Sequence, residues 1–240
     1  EVDWGSFDKA VLRSTWDYVD RVAEFLDWTE RCSEQTRLLN PPAVVRWNVD
    51  KHYLVELAHA GVAVVPTLFV EPGADPRLEL DRFLAGGQGA FTVGTGGAIA
   101  QFVIKPSIGA GSRDAARYLR VDRDKALAHL ERLLAAGRST MLQPYLDRVD
   151  EHGETAVVYI GARYSHAFHK GPLLRLGDGL VSGLFAPEQI KPREPDAAER
   201  RVAAAAFGSI AGASQLYARI DLIRNGRGEP VVLELEITEP

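Results

Sequence analysis

The sequence predicts an α+β chain in which antiparallel hairpins pack against amphipathic helices. Three observations carry this. Asn225-Gly226-Arg227-Gly228 is a hairpin turn between two runs of alternating polarity, residues 215–223 and 230–238. Gly161-Ala162 separates residues 155–160 from residues 163–170 in the same way. Between them in character, Leu127, Leu130 and Leu134 recur at helical spacing over residues 124–136 and Gly137 ends the run.

Taken in chain order, residues 11–13 form a short apolar strand that opens into the polar Ser14-Thr15-Trp16-Asp17, and residues 17–29 read as helix. After Asn40-Pro41-Pro42, a strand over 43–46 leads to Asn48, an N-cap for a helix that starts near residue 49 and stops at Gly61. Lys51 then falls in that helix's first turn. Residues 61–70 read as strand, 76–85 as helix, and 86–97 as a glycine-rich mobile linker. This linker is no dinucleotide fingerprint, because Ile99 stands where a third glycine is needed and no strand precedes it. Residues 100–105 form a strand ending in the loop Pro106-Ser107-Ile108-Gly109-Ala110-Gly111-Ser112, and residues 113–120 are strand-like. A buried strand over 140–146 runs into an acidic loop, 147–154. Residues 171–194 are loop-rich, and a helix over 195–207 precedes the final hairpin. The sequence shows no internal repeat.

Composition excludes several function classes. With 46% hydrophobic residues the 240-residue chain can bury a full core, and its net charge of −5 argues against a basic face for nucleic acid. Cys32 is the single cysteine, so no internal disulfide forms and multi-thiol metal sites are missing; a reducing cytoplasm fits. The longest apolar stretches, 60–70 and 202–213, are too short to span a bilayer, and Pro66 interrupts the first. Residue 1 is Glu, Met141 is the only methionine and Pro240 follows an acidic strand, so the chain is expected to be a piece of a longer protein; residues 1–6 lack a signal-peptide pattern. Nucleophile elbow, zinc-binding helix and triad signatures are absent.

The final hairpin carries the most chemistry, because side chains alternate faces along a strand. Tyr217, Arg219 and Asp221 share one face, and Val232, Glu234 and Glu236 share a face of the next strand. A two-residue turn at Gly226-Arg227 sets Arg219 opposite Glu234, with Asp221 diagonal to it. Three carboxylates with one guanidinium leave an excess of two negative charges, which a divalent oxygen-loving cation would offset; a solvated face with one cross-strand ion pair is the plainer alternative. Lys105, followed by Gly109 and Gly111, offers backbone amides and a cation to phosphate oxygens, although an ordinary glycine hairpin would look similar. Lys51 at a helix start, where a cation is disfavoured, suits an anionic ligand or is simply a surface lysine. Lys170 ends its strand on a face with Tyr164, His166 and Phe168, while His166 and His169 point to opposite sides and form no metal pair.

Read together, Lys51, Lys105 with its glycine loop, Gln143-Pro144-Tyr145-Leu146, Gly153-Glu154, Lys170, Arg219-x-Asp221 and Glu234-x-Glu236 resemble, in type and order, the motifs of the ATP-grasp superfamily, in its glutathione synthetase-like and D-alanine-D-alanine ligase-like branch. The resemblance spans about residues 46–240. It implies an ATP-grasp fold, two α+β subdomains clasping a nucleotide, preceded by a partial N-terminal α/β domain. The implied organisation is an N-terminal substrate-side domain over 1–47 and an ATP-grasp domain over 48–240, itself divided into a phosphate-covering part, 48–143, and a metal-binding part, 144–240. Arg13-Ser14-Thr15-Trp16-Asp17-Tyr18, Asn40-Pro41, Arg46-Trp47-Asn48 and His169-Lys170-Gly171-Pro172 are similar, more narrowly, to a bacterial group typified by cyclo-ligases acting on O-ureido-D-serine.

The resemblance also implies roles. Lys51 and Lys105 would reach the α- and β-phosphates of ATP, with Ser107, Gly109, Gly111 and Ser112 covering them. Gln143, Tyr145 and Leu146 would hold adenine through the backbone, and Glu154 the ribose, with Asp147 or Glu151 as substitutes. Lys170 would approach the γ-phosphate and Arg219 the transferring phosphoryl group. Asp221, Glu234 and Glu236 would bind Mg²⁺, or Mn²⁺ in its place; Glu236 stands where the family usually has asparagine. Arg13, Trp16 and Arg175 are candidates for substrate contact, although many relatives carry Arg-x-Gln where this chain has Leu173-Leu174-Arg175. The implied activity is ATP-dependent joining of a small-molecule carboxylate to an amine, thiol or aminooxy nucleophile through an acyl phosphate, with intramolecular cyclisation included. Nucleic acid and membrane partners are not expected, and a homo-oligomer is left open. The alternatives on the same scaffold are a phosphotransferase and a nucleotide-sensing module without turnover.

Overall fold

The computed structural model describes residues 2–86, 98–174, 176–177, 190–210 and 215–238; the expected linker after Gly86 and the substrate candidate Arg175 lie outside them. A two-stranded parallel sheet comes first, β1 (Lys9–Val11) beside β2 (Arg37–Leu39), backed by α1 (Val22–Gln35). Leu26, Thr29 and Cys32 bury one stripe of α1 against Leu12, Tyr18 and Leu38. The expected strand at 11–13 is displaced toward the N-terminus, and the expected helix at 17–29 is instead a 3₁₀ turn, Trp16–Asp20, followed by α1.

The expected strand at 43–46 is a helix, α2 (Pro42–Asn48). Pro42 occupies its first turn, where a missing N–H costs nothing, and extended Pro41 leads into it. Val44 packs into one core and Val45 into another, so the apolar run that resembles a strand is a helix shared by two layers. Asn48 ends α2 rather than capping the next helix, α3 (Tyr53–His59), and Lys51 sits in the turn between them. Only β3 (Leu68–Val70) of the expected strand at 61–70 forms; before it, Pro66 has no N–H for a ladder and Val64 makes a single bridge to Val232.

A four-stranded antiparallel sheet follows, in the order β3, β6 (Thr140–Pro144), β4 (Gln101–Pro106), β5 (Ala116–Leu119). Its apolar face is covered by α4 (Pro76–Leu84) and α5 (Arg123–Ala135). Asp75 caps α4 by accepting from the amides of Arg77 and Leu78. On α5, Leu127, Leu130 and Leu133 are buried, with Leu134 packed at the margin, and Gly137 at φ +73° closes the helix. The acidic loop contains a short helix, α6 (Arg148–His152).

The second sheet is antiparallel, in the order β11 (Pro230–Glu236), β10 (Tyr217–Arg224), β7 (Glu154–Ile160), β8 (Arg163–Lys170), β9 (Ile190–Pro192). One face packs on α7 (Ala197–Gly208), which Asp196 and Glu199 start with a reciprocal capping box. Two bulges revise the expected faces. Arg219 pairs with Glu236 and Asp221 with Glu234, while Leu222 pairs with Val232, leaving Leu233 as the extra residue. The cause is a loop over 225–229 in place of a two-residue turn, together with that bulge. Val232 therefore joins Ile220, Leu222 and Leu235 in the core, and does not share a face with the glutamates. On β8 a shift between His166 and Tyr164 turns Tyr164 onto the α7 side, away from Phe168 and Lys170. Among the described residues, no helix is long and apolar enough to cross a membrane.

Candidate active site

Both sheets end on one cleft of about 570 Å³. Lys105 comes from the end of β4, Gln143, Tyr145 and Leu146 from β6 and its extension, Glu154 and Lys170 from facing ends of β7 and β8, and Arg219, Glu234 and Glu236 from β10 and β11. Lys51 enters from the turn before α3, and Gly109, Gly111 and Ser112 from the glycine loop. Residues far apart in sequence meet here because the two sheets border the same space, which the Lys51 turn and the glycine loop also line.

Charges in the cleft are matched. Lys51 Nζ lies 2.9 Å from Glu234 Oε1 and donates to the Gly109 carbonyl at 2.7 Å. Lys170 Nζ lies 3.0 Å from Asp221 Oδ2 and 3.2 Å from Glu154 Oε2. Arg219 grips Asp221 with two bonds, Nε to Oδ1 at 2.8 Å and Nη2 to Oδ2 at 2.9 Å, and lies 4.0 Å from Glu236. Lys105 makes no ion pair of its own among the described residues. The expected excess of negative charge is thus corrected: three lysines join Arg219 against Asp221, Glu154, Glu234 and Glu236.

Burial makes each of these groups sensitive to its neighbours. It pushes Asp221 upward, but Arg219 and Lys170 outweigh it and hold the carboxyl at about 2. Glu234 is likewise raised by burial and brought below its ordinary value by Lys51 and Lys105. Glu236 has weaker support from Arg219, and burial carries it to about 7. Burial also raises Glu154 and lowers Lys105. Among the described residues no three Asp, Glu, His or Cys side chains converge as a ready-made cation cage, because each carboxylate is already held by a lysine or Arg219. The expected three-carboxylate arrangement is therefore not assembled in this structure. Its donors are all oxygens, the set a hard cation takes.

The other end of the cleft is apolar, walled by Val103, Phe168, Ile223 and Leu233. Gln143 donates to Thr67 Oγ1 at 2.8 Å, and the Leu146 amide makes no bond within the protein among the described residues. Tyr145 is braced: the Arg117 guanidinium lies 3.4 Å over its ring, and its hydroxyl donates to Asp150 at 2.5 Å. An apolar wall beside a backbone donor with no protein partner suits a heterocycle with a polar edge.

Two further residues hold the carboxylate strand in place. The Asn48 side chain donates to the Leu235 carbonyl at 2.7 Å and accepts from the Ile237 amide at 3.0 Å, while the Tyr53 hydroxyl accepts from the Leu235 amide at 2.9 Å. They satisfy backbone groups of the edge strand β11 and of the residue after it, on either side of Glu236. The sequence suggests a capping role for Asn48 and none for Tyr53, because the backbone groups they satisfy lie 182 to 189 residues away in the chain.

Several expected residues lie elsewhere. Arg13 is exposed and does not line the cleft, whereas Trp16 does. Ser107 is buried beneath the glycine loop, its amide bonded to Ser139 O and its carbonyl to the Lys51 amide. Of the three acids considered for the ribose, Glu154 lines the cleft, while Asp147 and Glu151 are exposed. Asp221 sits behind the cleft surface at 1% exposure. Arg113, which sequence reasoning placed in a strand without a role, lines the cleft mouth.

Comparison with known proteins bears on this geometry. Residues 1–40 match the family model described as D-cycloserine synthetase DcsG, N-terminal domain. The chain is 41% identical over 244 aligned residues to the cycloserine biosynthesis protein DcsG of Streptomyces lavendulae, covering 100% of this chain and 78% of that protein. The crystal structure of D-cycloserine synthetase DcsG superposes with a TM-score of 0.87, at 41% identity, over 100% of this chain and 78% of that one. D-alanine–D-alanine ligase from Bacillus anthracis complexed with ATP has a TM-score of 0.64 at 15% identity, covering 97% and 69%. The ATP-grasp ligase PsnB, complexed with a precursor peptide and AMPPNP, has 0.60 at 20%, covering 96% and 68%; these last two bear on the fold alone.

Proposed function

Because the chain belongs to the D-cycloserine synthetase DcsG family of ATP-grasp ligases, we propose that this ATP-dependent ligase activates a carboxylate as an acyl phosphate and delivers it to a nitrogen or related nucleophile, within the same molecule when the two are tethered. The observation that carries this reading is the matched set of four cations, Lys51, Lys105, Lys170 and Arg219, and four carboxylates, Glu154, Asp221, Glu234 and Glu236, gathered at the cleft. Each stands in for a ligand of the other. A phosphate chain would take over Lys51 and Lys170, and the carboxylates they pair with, Glu234 and Asp221, with Glu236 beside them, would be the donors that hold magnesium. When bound, magnesium would shield the phosphate oxygens and draw electron density from the γ-phosphorus.

Within that assignment Lys51 and Lys105 hold the α- and β-phosphates under Gly109, Gly111 and Ser112, and Lys170 holds the γ-phosphate. Gln143, Tyr145 and Leu146 take adenine against the apolar wall, and Glu154 takes the ribose. A substrate carboxylate oxygen attacks the γ-phosphorus, the bond to the β–γ bridging oxygen breaks, and ADP leaves. The nucleophile then attacks the carbonyl carbon, the carbon–oxygen bond to phosphate breaks, and inorganic phosphate leaves. Arg219, fixed by its two bonds to Asp221, faces the oxygens on which charge grows in both steps. Trp16, which lines the cleft, is the candidate for substrate contact, with Arg175 as a further one.

Carboxylate-labelled substrate tests the intermediate. With ¹⁸O-labelled O-ureido-D-serine or D-alanine as the carboxylate, turnover will place one ¹⁸O in the released phosphate. Release of phosphate carrying no label during product formation would exclude an acyl phosphate.

A further inference from the structure

The loop over the phosphate site is fastened from two directions, and one fastening reaches the N-terminal segment. Ser112 and Asp114 are held at φ +60° and +58°, left-handed conformations that are uncommon for residues other than glycine, less so for aspartate than for serine. Asp114 is enforced from α5 and the turn after it, by Arg132 at 2.8 Å and Arg138 at 2.6 Å. Arg113, between the two strained residues, points the other way and makes a bidentate pair with Asp20 on the Trp16–Asp20 turn, Nη1 to Oδ2 at 2.8 Å and Nη2 to Oδ1 at 2.6 Å. Ile108, at the other end of the loop, packs against the N-terminal apolar cluster that includes Leu12, Tyr18 and Val49. Lys51, which donates to Gly109 O, lies beneath the same loop.

We propose that Asp20 and Arg113 form a latch that holds the phosphate loop down on the N-terminal segment, so that the substrate side and the nucleotide side of the cleft are set together. The pair joins the segment carrying Trp16 to the loop carrying Gly111 and Ser112, and all three of these residues line the cleft. Asp20 and Arg113 act as positioning residues; the effect on ATP rests on the nucleotide reading above, whereas the effect on the loop does not. Movement of the Trp16–Asp20 turn, on substrate entry or exit, would pull on Arg113 and free a loop already strained on both sides of it.

The test compares Asp20→Asn, Arg113→Gln and the charge swap Asp20→Arg with Arg113→Asp, all in the full chain. Backbone amide exchange over residues 107–115 in nucleotide-free protein will speed up about three- to fivefold in each single variant, the scale of a part-exposed ion pair, and return toward wild type in the swap. Residues 123–135 of α5 will not change. Mg-ATP affinity will fall by a similar factor in the single variants and recover in the swap. Unchanged loop exchange in the single variants overturns the latch, and so does acceleration that the swap fails to reverse. Wild-type protein that does not bind Mg-ATP overturns the nucleotide reading instead, and loop exchange then decides the latch by itself.

Discussion

An Arg219→Lys variant will keep its fold and its affinity for Mg-ATP and lose at least about 10²-fold in kcat, the scale of removing one donor aimed at developing charge. Lysine supplies the same charge, but as a point. Arg219 spends Nε and Nη2 on Asp221, which leaves the rest of a rigid planar fork aimed from a known direction into the cleft. An ammonium pulled onto Asp221 has no second edge to present. Arg219→Ala is less informative, because it leaves Asp221, at 1% exposure, with Lys170 alone, and breaking a buried pair costs about 3–5 kcal/mol. Steady-state ADP release, with binding measured separately, gives the result. A kcat within about threefold of wild type would mean that the guanidinium serves structure only.

Glu234→Gln will weaken Mg-dependent ATP binding more than about tenfold, since loss even of an indirect metal partner costs that much. It will also lower the stability of the ligand-free protein, by roughly 1–3 kcal/mol, the cost of leaving a buried charged group short of a partner. The sign of the second effect separates two pictures of the cleft. If three carboxylates crowded one guanidinium, as the hairpin alone suggests, removing one would relieve repulsion and stabilise the empty protein. Instead Lys51, itself buried, lies 2.9 Å from Glu234, and Lys105 is close enough to help hold that carboxyl below its ordinary value. Denaturant unfolding of the nucleotide-free variant measures this. Higher stability than wild type would restore the repulsion picture.

The motif residues were legible in the sequence because residue type and order along the chain mark them. Lys105, Lys170, Arg219 and the two glutamates needed no knowledge of packing to be singled out, and the cleft collects them. Their pairing was not legible. A bulge at Leu233 and a longer turn reset the register of the last hairpin, and a bulge is a settlement between two strands that neither strand announces by itself. The charge balance was missed for a related reason: Lys51 and Lys170 come from other elements, so the hairpin read in isolation looked too acidic. Residues 43–46 misled because Val44 and Val45 face different cores, which hides helical spacing in a four-residue window. Asn48 and Tyr53 were hidden because their partners, the amides and carbonyl of Leu235 and Ile237, are 182 to 189 residues away.

The exchange of partners between lysines, carboxylates, nucleotide and magnesium is tested most directly by thermal unfolding with ATP, in magnesium and in EDTA, for wild type, Lys105→Ala and Lys125→Ala. At a hundredfold excess over Kd, binding adds about 2.7 kcal/mol to stability. The unfolding temperature will rise by several degrees for wild type in magnesium and little in EDTA; Lys105→Ala will lose the rise, and Lys125→Ala, whose ammonium is exposed on α5, will keep it. Equal shifts in magnesium and EDTA, or equal shifts in the two lysine variants, would contradict the exchange of partners.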